Sequence, residues 1–251
     1  MENNEEPNSI NSEEDQLSRK FLKINNVRSF SIAYNLRIKE GDIIIGLNGE
    51  YFNSSYEDLK KALEEDEEEK VLTIFREGTC FNITTKSTLG VTCEEIDENH
   101  IKDFSNTDIK NIFKKEKLYK QFEVYRNFKK IGFIIDLELS ILASIAPPLW
   151  MLYHRLWMNL FFTIIFLVIM FLVSPWLFSI SWVLKSWYYG INQINVLRNY
   201  YNYNDYRLFL VLTCLNEEEA QTISRKLDPK IDFDFSYLDP PIRDEDSLNT
   251  L

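Results

Sequence analysis

Glycine is scarce in this chain, with seven in 251 residues, and histidine is scarcer, with only His100 and His154. Histidines so far apart exclude the HExxH helix, which holds zinc between imidazoles one turn apart. No GxSxG, P-loop or GxGxxG occurs, so nothing marks a nucleophile elbow or a phosphate cradle. Cysteine is limited to Cys80, Cys93 and Cys214 with no CxxC, and an odd, scattered set reads as reduced thiols. Positive charge is in deficit: 28 Lys and Arg against 39 Asp and Glu leave −11, which argues against a nucleic-acid partner. The opening MENNEEPNSINSEED has no apolar run of the kind a secretory signal needs. No metal, no cofactor and no enzymatic activity is expected.

Three of the seven glycines sit in one stretch, EGDIIIGLNGE, residues 40–50. Ile43-Ile44-Ile45 is a β-branched run of strand character. Asn48-Gly49 is the favoured pair for a two-residue type I′ hairpin turn, and Gly46 inside the run suggests a bulge. SSYEDLKKALEE then predicts a helix, with Ser55 and Asp58 as a relaxed capping box and Tyr56, Leu59 and Leu63 on one stripe. KVLTIFREG and TCFNITT predict two more strands around Gly78.

This order of strand, NG turn, helix and strands resembles a bacterial PDZ domain over about residues 17–96. Ser31, Ala33, Leu36, Gly41, Asp42, Ile44, Asn48 and Gly49 occupy the family's pattern positions. The resemblance implies capture of an extended peptide as an added strand beside the helix. The edge would come from Phe21, Leu22, Lys23 and Ile24, and the pocket from Tyr56, Leu59 and Leu63. The alternative keeps the same fold as a structural or dimerising module, with those side chains as core. KFLKI, the only candidate for the family's carboxylate loop, lacks its glycine.

A second stretch is overwhelmingly apolar. From Trp157 to Leu184, 28 residues carry no charge, more than the roughly 18 that suggest a membrane span. Pro175 divides the run, so spans at about 157–174 and 175–190 are expected, with 139–153 interfacial. Tryptophans here and Tyr188-Tyr189 are expected at the lipid boundaries. PPLWMLYHRLW, carrying Pro147, Pro148, Trp150, Tyr153, His154, Arg155 and Trp157, resembles a motif in a family of bacterial inner-membrane proteins of unknown function. Asn195, Leu197 and Arg198 and the segment Tyr206–Leu227 extend that resemblance, which covers about residues 120–227. His154-Arg155 reads as an interface anchor or as a ligand-binding or proton-linked pair. Asp136 and Glu138 read as a boundary mark.

Upstream, residues 110–130 hold eight Lys or Arg against two Glu. Interleaved aromatics make this a basic segment suited to anionic lipids of a bilayer, and the positive-inside rule sets both termini cytoplasmic.

The expected fold is therefore multi-domain: a PDZ-like mainly-β domain (17–96), a basic juxtamembrane segment (97–130), an α-helical transmembrane hairpin (131–192) and a small α/β cytosolic tail (193–235). Residues 1–16 and 236–251 are expected to be disordered. The expected role is a membrane-anchored interaction module that recruits or senses a protein or peptide at the inner membrane. The alternative is an accessory subunit of a membrane transport or assembly complex. Homo-oligomerisation is compatible with either.

Overall fold

The computed structural model describes residues 19–65, 68–97, 101 and 119–241. The strands are β1 (Lys20–Val27), β2 (Ile43–Leu47), β3 (Glu50–Tyr51), β4 (Lys70–Arg76), β5 (Thr79–Thr85), β6 (Val91–Asp97), β7 (Lys120–Arg126), β8 (Ile131–Asp136), β9 (Arg207–Cys214) and β10 (Asp232–Phe233). They form one sheet in the order β10-β8-β7-β9-β5-β4-β2-β1-β6, with β3 attached to β2. Pairing is antiparallel except between β10 and β8. The helices among the described residues are α1 (Ile32–Asn35), α2 (Tyr56–Glu64), α3 (Ile141–Ile145), α4 (Pro147–Tyr153), α5 (Trp157–Val173), α6 (Pro175–Tyr203) and α7 (Glu217–Leu227).

Local chemistry accounts for the N-terminal elements. Asn48 has φ 51° and Gly49 φ 81°, both positive as a type I′ turn requires. The Asn48 side chain also accepts the Val71 amide at 2.9 Å, tying the turn to β4. The β2–β4 register slips between Ile44 and Gly46, where the sequence suggested a bulge. Ser55 and Asp58 complete a reciprocal capping box that starts α2. Strand alternation then splits the isoleucine run. Ile44 joins Leu22, Ile24, Leu59, Leu72 and Ile74 in the main core, while Ile43 and Ile45 join Phe21, Phe75 and Ile101 in a smaller one.

The main core does not stop at residue 96. It continues through Phe122, Val124, Leu210, Leu212 and Phe233, because β9 enters the sheet between β7 and β5. The segment expected as a separate cytosolic tail thus supplies a central strand. A third core of Tyr125, Ile135, Trp150, Met151, Tyr189, Leu197 and Tyr201 fixes the helices to β7 and β8. Glu123, buried on β7, receives Arg198 of α6 through two bonds, Nε at 2.9 Å and Nη2 at 2.5 Å.

The transmembrane hairpin is not borne out. No helix among the described residues is long and apolar enough to cross a membrane. The 28-residue uncharged run is cut at Ser174-Pro175, which leaves α5 with 17 residues. At 1.5 Å per residue that is about 26 Å, short of a hydrocarbon core of about 30 Å. α6 is longer, 29 residues, but turns polar from Lys185 through Asn192, Gln193, Asn195 and Arg198. The multi-domain fold class with a membrane hairpin is replaced by a mixed ten-stranded sheet carrying helices. The expected inner-membrane location, with both termini cytoplasmic, rested on those spans and falls with them. Residues 139–153, expected at an interface, form α3 and α4 instead.

The basic segment also differs from expectation where it is described. Lys120–Arg126 is strand β7, whose alternation buries Phe122 and Val124 on one face and Tyr125 on the other. Lys110–Lys117 lies outside the described residues, as do residues 1–16. Of the expected disordered tail, residues 236–241 are described and pinned: the Tyr237 amide donates to Gln221 Oε1 at 2.8 Å, and Arg225 donates to the Asp239 carbonyl.

Candidate functional sites at an open sheet edge and a helix-walled cavity

The residues proposed for a peptide groove do not form one as expected. Phe21, Leu22 and Ile24 are fully buried on β1. That strand is paired on both sides, to β2 and to β6, so it has no free backbone edge. Lys23 points to Glu94 at 3.4 Å. Leu59 and Leu63 face the main core. Among the described residues the sheet ends at β10 and at β6, and the free edge on the side of β1 belongs to β6.

β6 has features that suit an incoming strand. It begins just after Gly90, which has φ 71°. A Cβ there would lie 2.8 Å from Ser31 Cβ, so the turn is held to glycine by space as well as by backbone. Among the described residues the amides of Leu89 and Gly90 donate no hydrogen bond. Tyr56, at the start of α2, closes over the strand, its hydroxyl donating to the Val91 carbonyl at 2.7 Å. Burial, then the neighbouring Cys93, raises the Tyr56 pKa, and burial lifts Cys93 itself to about 12, so both stay protonated. The signal in the sequence was STLGV followed by alternating apolar positions at Val91 and Cys93.

The remaining motif residues are structural. Gly41 has φ 90° and its amide donates to Ile24. Asp42 accepts Arg76 Nε at 2.7 Å and Nη2 at 2.6 Å, and also the Lys39 amide at 2.7 Å. Both ends of this ion pair are buried.

The second site is a cavity of about 480 Å³ between β8, α4, α6, α7 and the segment after β10. Pro147 and Pro148 start α4, placing their missing amides where no helical bond is lost. Trp150, only 1% exposed, then anchors α4 in the third core and forms one wall. Tyr153 and His154 form another, with His154 5.0 Å from each of the Trp150 and Tyr153 rings. Arg155, with φ 54°, turns away to pair with Asp234 at 3.0 Å. Trp157 is exposed at the start of α5 and does not line the cavity.

Three carboxylates face the same space: Asp136, Glu138 and Glu217. Lys120 reaches Glu138 at 2.5 Å and Asp136 at 3.9 Å. Glu217, at the start of α7, has no hydrogen bond or ion pair among the described residues. Burial and then the Asp136 charge raise its pKa, and burial also raises Asp136. Burial pushes His154 down to about 4, so its imidazole is neutral near pH 7. In the sequence Asp136 and Glu138 read only as a boundary mark, and Glu217 carries no signal beyond that of an acidic helix start. Among the described residues no group of three metal-ligating side chains is placed to hold an ion. No family model matches the chain, and no curated protein matches it.

Proposed function

We propose that this chain is a protein-interaction module that captures an extended segment of a partner as an added strand on β6, alongside α2. The observation that carries this reading is the open β6 edge, flanked by a helix at one side and by the unengaged Leu89 and Gly90 amides at its start. Main-chain bonds to the edge supply affinity in this mode, and side-chain pockets supply selectivity. The two free amides are suited to an anionic group, such as a terminal carboxylate. The resemblance of residues 17–96 to bacterial PDZ domains favours the same reading, with the edge moved from β1 to β6. An incoming strand displaces the Tyr56 hydroxyl from the Val91 carbonyl.

Selection of the full chain against a displayed library of peptides with free carboxyl termini tests this. Enriched peptides should shift the backbone amide resonances of Leu89–Asp97 and Tyr56. No enrichment, or shifts confined to other parts of the sheet, refutes it. The exposed apolar faces of α5 and α6 favour a second reading, in which the chain is a subunit of a larger assembly that covers them.

A further inference from the structure

We propose that the cavity beside α4 binds a small organic cation, an ammonium or guanidinium group carried on an apolar body. Its volume, about 480 Å³, lies in the range of small-molecule sites. The walls divide the work. Trp150 and Tyr153 line the cavity, and a cation held within about 6 Å of an aromatic ring gains attraction from its quadrupole. Glu217, Asp136 and Glu138 supply negative charge; Lys120 pairs with Glu138 at 2.5 Å and with Asp136 at 3.9 Å, and none of these ion pairs includes Glu217. Glu217 is therefore a partly buried carboxylate without a counter-charge among the described residues, a cost that a bound cation removes.

Other ligand classes fit less well. An anion meets three carboxylates. A neutral molecule leaves Glu217 uncompensated. A bare metal ion meets no suitable ligand set among the described residues. The site does not depend on the β6 edge, so it stands or falls independently of peptide capture.

Calorimetric titration of the full chain separates these classes. The probes are phenethylammonium, tyramine and choline, with 2-phenylethanol as the neutral counterpart. At least one amine should bind saturably, at least about tenfold more tightly than the alcohol, as expected when a ligand bonds to a charged group. Glu217→Gln should weaken that amine by about tenfold or more, with unchanged circular dichroism. Equal binding of amine and alcohol overturns the proposal, and so does an undiminished affinity in Glu217→Gln. So does the absence of saturable binding up to about 10 mM, the weak limit for a ligand of this size. The comparison of amine with alcohol needs no variant, so the test survives poor folding of Glu217→Gln.

Discussion

Ile43-Ile44-Ile45 and Ile164-Ile165 are isoleucine runs with opposite fates. The first is buried throughout. Alternation sends its side chains to two faces, and each face has a layer to receive them. The second is well exposed, 47% and 40%. α5 buries little besides Thr163 and Leu167, and α6 buries one stripe, Tyr189, Gln193, Leu197 and Tyr201. These spacings of four keep a single helical face against the protein. An apolar run therefore fixes what must be covered, and the topology decides whether this chain covers it itself.

The sharpest way to break the well-covered region is through the buried Asp42–Arg76 ion pair beside β2. Among the described residues, Asp42→Ala leaves Arg76, 7% exposed, with the Arg37 carbonyl as its one remaining hydrogen-bond acceptor. The loss should be about 3–5 kcal/mol, read from chemical denaturation. Adding Arg76→Met should recover part of it, since the uncompensated charge is then gone. An Asp42→Ala variant with an unchanged midpoint means that the pair contributes nothing.

His154 probes the junction between the two regions. Its folded pKa of about 4 lies below the ordinary 6.5. Between these values the unfolded chain binds more protons than the native one, so stability rises with pH across that window. The effect is present in full above pH 6.5 and lost as pH falls to 4, and it amounts to at most about 3 kcal/mol. Asp136 and Glu217, with raised values, act with the opposite sign at the acid end. Comparing the wild type with His154→Gln isolates the imidazole. Identical slopes of stability against pH in the two proteins rule out this contribution.

Much of the first region was legible because its signals are local. A turn that needs positive φ at two residues writes Asn48-Gly49, and a helix start writes Ser55 and Asp58. Edge position is not local. Nothing in KFLKI tells that a strand 70 residues later pairs beside it and takes over the edge, so the sequence alone points to a groove on β1 rather than β6. The cavity was half legible. PPLWMLYH stood out, but its partners Glu217 and Tyr237 come from distant segments that meet only through the sheet order. The uncharged run has the total length of two spans, whereas its break at Pro175 leaves one helix too short and the next too polar.

The hairpin turn gives a smaller effect within the covered region. Gly49→Val puts a β-branched residue at φ 81° and should cost about 1–3 kcal/mol. A thermal melt of the full chain reads it. A Gly49→Val melt that matches wild type means that the turn adopts another geometry.

The smallest expected effect sharpens the comparison most. Phe161 lies on α5 and is 58% exposed. Among the described residues its one ring partner is its neighbour Phe162, at 5.7 Å. Phe161→Gln removes an apolar side chain that the chain itself does not cover, and glutamine is at least as good a helix former. Stability should change by no more than about 0.5 kcal/mol, as for surface substitutions generally. Ile44→Ala, by contrast, opens a void in a closed core and should cost about 2–5 kcal/mol. The quantity to measure is the ratio of the two losses at one protein concentration, repeated after tenfold dilution. A large, concentration-dependent loss for Phe161→Gln shows that copies of the chain bury this face against one another. A large loss that does not change on dilution shows that the face is covered within the chain, and the contrast between the two regions then fails.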